Sequence, residues 1–182
     1  MTTAISKPKL SLKAQTFGAI VAIISAVALP QAIHLLGTAP GTGTALGEIL
    51  LPMHLPIILA GLLVGPYAAG IAGLGSPLIA FALTGMPTAA MLPFMMIELA
   101  AYGICAGALR SVRIPDIAKV FTVQVTGRLI RAAAILIGFY CFDSAINPTV
   151  ILTSIKIGLI GLVLQLVIIP LAVYRLRKAD NE

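Results

Sequence analysis

The stretch "LPMHLPIILAGLLVGPYAAG", residues 51–70, decides how this chain is read. It is almost wholly apolar, yet Pro52 and Pro56 flank His54, and Gly65–Pro66 divides it into two runs. Proline removes a backbone donor and breaks the helical ladder. A segment of this kind is stable in lipid only where protein or a water-filled cavity satisfies the freed backbone groups. A titratable ring between two prolines therefore predicts a polar hollow inside an apolar body.

The remainder of the chain supplies that body. Of 182 residues 59% are hydrophobic and 10% charged, against about 25% charged in a soluble domain; the mean hydropathy is +1.08. Division at Gly, Pro and charge clusters gives six apolar stretches, roughly 17–36, 49–64, 67–83, 91–109, 117–141 and 149–174. Most approach the ~20 residues that cross a bilayer; the second and third are shorter and contain Pro52, Pro56 and Pro77. The fold class expected is all-α, an integral membrane bundle of six transmembrane helices. One domain, 17–174, lies between an N-terminal tail, 1–16, and a C-terminal tail, 175–182. No internal repeat supports a transporter of duplicated halves.

Charge gives the orientation. Lys7, Lys9 and Lys13 precede the first stretch, Arg110, Arg113 and Lys119 flank the link between the fourth and fifth, and Arg175, Arg177 and Lys178 follow the sixth. All fall on one side of an even-numbered topology, so the positive-inside rule makes both termini cytoplasmic. The opposite loops, "GTAPGTGTALGE", "TGMPTAA" and "FDSAINP", contain no Lys or Arg. The net charge of +6 is thus topological, and its dispersal excludes a nucleic-acid patch. "AVA" at 26–28 resembles a signal-peptide cleavage site, but the apolar run continues to Leu36 and is read as a retained helix. Cys105 and Cys141 lack metal-ligand spacing and read as small buried hydrophobes.

Ionisable groups inside a membrane are functional candidates by default. On this topology His54, Glu98, Arg131 and Lys156 fall in the outer half, Arg128 lies near the middle, and the inner half is nearly bare. A polar cup over an apolar floor, near the extracellular side, describes a receptor more than a channel, which needs polar lining along its whole path. Glu98 with Arg128 or Arg131 also fits a structural ion pair, and Lys156 also fits a side chain snorkelling to the interface. His34, beside a Gly/Thr-rich loop, reads as a surface group. Metal binding is disfavoured, since the His and Glu residues lack a spacing such as HxxxH. In the first stretch Ala14, Gly18, Ala22 and Ala26 recur every four residues, a pattern that admits close helix approach, either within the bundle or to a separate subunit.

The segment 51–109, with "PMH", "LAGLLVGP", "SPL", "LTGMP" and "ELAAYG", resembles the S components, the substrate-binding membrane subunits of energy-coupling factor (ECF) vitamin transporters. The resemblance implies a non-catalytic subunit of a bacterial plasma membrane that captures a vitamin with high affinity. It implies as partners a membrane coupling subunit and two cytoplasmic ATPase subunits, which hydrolyse the ATP, and no cofactor in this chain. Ala22 and Ala26 match the family's helix-1 alanine motif for docking on the coupling subunit, with Ala14 and Gly18 on the same face. His54, Glu98, Arg128, Arg131, Lys156 and Tyr102 are the substrate-binding candidates. The chain itself has no GxxxxGK[ST] phosphate loop, consistent with an engine located elsewhere.

The absence of Trp and the scarcity of other aromatics argue against a flat stacked ligand, and the cations favour an anionic one. Pantothenate fits best, with cobalamin or a pyridoxine or pyrimidine precursor next. The alternatives are a self-sufficient small-solute transporter, which conflicts with the bare inner half, and an intramembrane enzyme using His54 and Glu98, for which no activated nucleophile is recognisable.

Overall fold

A computed structural model describes residues 10–38 and 45–179 of the chain. The helices are α1 (Leu12–Thr38), α2 (Ala45–Leu50), α3 (His54–Leu63), α4 (Pro66–Thr84), α5 (Leu92–Ala108, extended by a 3-10 turn Leu109–Ser111), α6 (Asp116–Phe142) and α7 (Thr149–Ala179). No strand occurs among the described residues, so the chain is all-α. Five helices, α1, α4, α5 with its 3-10 turn, α6 and α7, are long and apolar enough to cross a membrane. They expose faces rich in Leu, Ile, Val and Phe, such as Phe17, Ile24, Ile160 and Val163, a surface compatible with lipid and with a multi-pass membrane protein. Lys7 and Lys9, residues 39–44 of the loop "GTAPGTGTALGE" and the last three residues lie outside the described residues.

The second apolar stretch is the irregular one. It is divided into α2 and α3 at Leu51–Met53, where Leu51 has φ 50 and Pro52 supplies no donor. The carbonyls freed by the break are taken up by α7: Gln165 Nε2 donates to Leu51 O at 3.0 Å and to Leu50 O at 3.5 Å. Pro56 falls in the first turn of α3, where the N–H has no intrahelical partner in any case. With ten residues α3 rises only about 15 Å, half of a bilayer core. Seven of the ten are buried, among them Ile57, Ile58 and Leu62, which pack in one core with Leu99, Tyr102, Val123 and Ile169. The body that the opening stretch predicts is therefore a ring of long helices around a short central one.

Close approach of α4 to α5 rests on glycine. A Cβ at Gly73 would meet the Leu99 carbonyl, and one at Gly103 would meet the Ala69 carbonyl. The helices also run beyond the apolar stretches, α1 back to Leu12 and α7 on to Ala179. At the start of α1 the Ser11 hydroxyl accepts from Ala14 N at 3.3 Å, an N-cap bond.

The small-residue stripe on α1 requires a correction. Ala22 and Ala26 are buried in the bundle core, 4% and 0% exposed, and the space a Gly18 side chain would need is occupied by Val64. Only Ala14 is exposed. Four-residue spacing of small side chains permits close approach without saying to what, and here the neighbours are this chain's own helices. Ala22 and Ala26 are not a free docking face.

Charged groups gather at one end of the bundle. Arg110 donates to Val64 O at 2.9 Å, and Asp116 pairs with Lys119 at 3.1 Å and with Arg177 at 3.0 Å, which brings together the ends of α3, α5 and α7 and the start of α6.

Candidate functional site

A cavity of about 470 Å³ opens at the opposite end. Its mouth is formed by His34 of α1, Glu48 of α2, Thr88 of the α4–α5 link and Val150 in the first turn of α7; its floor is formed by His54, Glu98, Arg128 and Arg131. His34, expected as a surface group, packs its ring on Gly47 and lines the mouth.

Glu98 is the hub of the floor. It is 0% exposed, on the face of α5 turned towards α3 and α6. Arg131 Nη1 donates to its Oε2 at 3.1 Å, the Tyr102 hydroxyl donates to its Oε1 at 3.3 Å, Arg128 Nη1 lies 3.2 Å from Oε1, and His54 Nε2 lies 3.7 Å from the same oxygen. The His54 ring meets Tyr102 edge-on with centroids 5.0 Å apart. Local geometry explains the convergence. Glu98 and Tyr102 are one turn apart on α5, Arg128 and Arg131 one turn apart on α6, and both spacings place the pair on one helix face. His54 heads α3 because the break at Leu51–Met53 starts that helix inside the cavity. Gly127 leaves room for the Tyr102 ring, since a Cβ there would stand 2.7 Å from Tyr102 Cε1.

The sequence left open whether Glu98 pairs with Arg128 or with Arg131; both guanidinium groups are present, and one carboxylate serves two. The side chains of Arg128 and Arg131 are only 10% and 11% exposed. Nε, Nη1 and Nη2 of Arg128, Nε of Arg131 and both ring nitrogens of His54 are buried without a hydrogen-bond partner. Two formal positive charges face one negative, in a setting where buried charges normally require pairing. An anionic group entering from the cavity meets unspent donors.

Two expected site residues stand elsewhere. Lys156 is exposed on α7 and does not line the cavity, whose α7 wall is Val150, Thr153, Ser154 and Ile157. At 3.6 residues per turn position 156 points well away from that wall. Tyr102 is fully buried behind the floor and acts on Glu98 and His54 instead of lining the space. Several lining groups escaped sequence reasoning, notably Met53, Met86, Met91 and Met95, four of the six methionines in the chain. Arg131 Nη2 also donates to Met91 Sδ at 3.6 Å. None of the described Phe or Tyr residues lines the cavity. Beneath the floor, Gln124 Nε2 donates to Leu162 O at 3.0 Å, so buried amides as well as aliphatic side chains occupy the part of the bundle below the cavity. Among the described residues no group of three or more His, Cys, Asp and Glu could hold a metal ion.

Compared with protein-family models, curated proteins and solved structures, the chain matches none, so the site's chemistry rests on the residues themselves.

Proposed function

We propose that this chain is a high-affinity substrate-capture subunit of an ECF-type vitamin transporter, a six-span protein with cytoplasmic termini whose cavity faces outward. The observation that carries the reading is a one-ended cavity with a net cationic floor: about 470 Å³, bounded below by Glu98, Arg128, Arg131 and His54. That volume lies within the roughly 300–1,000 Å³ typical of small-molecule sites. A receptor that hands its cargo to a coupling subunit and two ATPase subunits needs no polar path of its own to the inner face. The ligand favoured is a small anion with an aliphatic body, of which pantothenate is the leading case. The guanidinium donors suit a carboxylate, and thioether and aliphatic walls accommodate a flexible chain without a stacking plane. Residues of α1 beyond Ala22 and Ala26 would provide the contact with a coupling subunit.

The test is reconstitution of the chain alone in liposomes, with identification of the small molecule that co-purifies. Tight one-to-one binding without flux or product formation supports the capture role; unaided flux or turnover overturns it. Arg131→Gln should weaken an anionic ligand by roughly 10- to 150-fold, the loss of one charge-assisted hydrogen bond of about 1.5 to 3 kcal/mol. A neutral amide analogue should bind weakly from the start and lose little more on mutation, because two partners of one bond do not contribute independently.

A further inference from the structure

A second, smaller space lies behind the arginines. Its volume is about 10 Å³, and it is bounded by Arg128, Arg131, Ala132 and Ile135 of α6 and by Ile151, Ser154 and Ile155 of α7. Arg128, Arg131 and Ser154 border both this space and the large cavity. The Arg128 guanidinium reaches across the α6–α7 interface into a cradle that α7 makes with small residues. A Cβ at Gly158 would stand 3.2 Å from Arg128 Nη2, and Ser154 lies one turn earlier on the same helix. Ser154 donates its hydroxyl proton to Ile151 O at 3.0 Å, and no hydrogen bond joins it to the Arg128 donors, which are buried and unbonded.

Three observations converge. The site carries one positive charge more than Glu98 neutralises, the surplus donors of Arg128 are buried and unbonded, and the adjoining space is about one small sphere in size. We propose that the free protein holds a monatomic monoanion, chloride in physiological media, between α6 and α7, bound by Arg128 and Arg131 beside Ser154. The ion completes the charge balance that two arginines and one glutamate leave open. On the capture reading, an organic anion arriving from the cavity takes over the same donors and displaces the ion, which makes its apparent affinity fall as chloride rises. The ion site itself does not depend on that reading.

The experiment uses the full-length protein in detergent without organic ligand, in chloride and in gluconate at equal ionic strength. Chloride should raise the melting temperature saturably, by about 3 to 6 °C at ten times its half-saturating concentration. Crystals grown in bromide should show an anomalous peak within hydrogen-bond distance of the Arg128 guanidinium. Ser154→Val, which fills the space without removing a charge, should abolish both signals in a folded protein; Arg128→Gln should do the same where it folds. Equal melting in chloride and gluconate, or bromide density absent from Arg128, overturns the proposal, as does a chloride effect that survives Ser154→Val. An organic anion that binds with no halide signal would remove the ion site and leave the capture function standing. A halide signal with no organic ligand would do the reverse.

Discussion

Glu98 shows how much one side chain can organise. Its two oxygens meet Arg131, Arg128, Tyr102 and His54 while the residue is fully buried. Removing the carboxylate leaves two guanidinium groups out of water with no counter-charge. Breaking a buried pair costs about 3 to 5 kcal/mol, so Glu98→Gln should lower the melting temperature in detergent by roughly 6 to 20 °C. Glu98→Gln combined with Arg131→Gln should lose less than the sum of the single changes, since the second removes a charge that the first has stranded. Strict additivity would mean that the two residues do not interact. The sequence exposed this cluster through depth and spacing: a glutamate in an apolar run and two arginines three apart leave few other partners. It gave no access to Ser154, Thr153 or the four methionines. Uncharged side chains in an apolar helix look the same whether they face lipid, core or cavity, and Lys156 was misplaced because depth along a helix does not fix the direction around it.

At the scale of elements, the break between α2 and α3 and the stripe on α1 show what a periodic pattern can and cannot convey. Pro52 and Pro56 mark an irregular segment that needs a partner for its carbonyls, and that need was legible. The partner, Gln165, sits 114 residues away from Leu51 and is identifiable only once α7 is packed. Gln165→Leu, close to isosteric, should leave the Leu51 carbonyl with its bond from His54 N alone and cost about 0.5 to 1.5 kcal/mol, the net worth of one lost hydrogen bond. Thermal unfolding monitored in detergent reads that loss. For the α1 stripe the repeat of small residues was legible and its partner was not. Ala26→Trp should overpack the core by about 1 to 3 kcal/mol or more, with melting temperature and ligand binding falling together, whereas Ala14→Trp should change neither. Ala26→Trp with undisturbed stability and binding would show that the packing of α1 against α3 and α4 is wrong.

Across the whole molecule the two ends differ in chemistry. One holds Arg110, Lys119, Arg177 and the Asp116 that neutralises part of them, while the other opens the cavity through loops without Lys or Arg. Cationic residues near helix ends resist translocation across the membrane, and the proposed function accordingly takes the charged end as cytoplasmic and the cavity mouth as outward. Single cysteines read the orientation directly. Cys105 and Cys141 are both free, so they are first replaced by alanine. Asn147→Cys, in the link between α6 and α7 at the cavity end, should then react in intact cells with a membrane-impermeant maleimide. Arg113→Cys, at the charged end, should react only after the membrane is permeabilised. Arg113→Cys also removes one inside charge, and Ser111→Cys at the same end, which keeps every charge, controls for a shift in topology. Labelling of both inside positions in intact cells would invert the protein and turn the cavity to the cytoplasm. A cationic cup facing inward would collect metabolites the cell already holds, and capture for uptake would lose its physical basis.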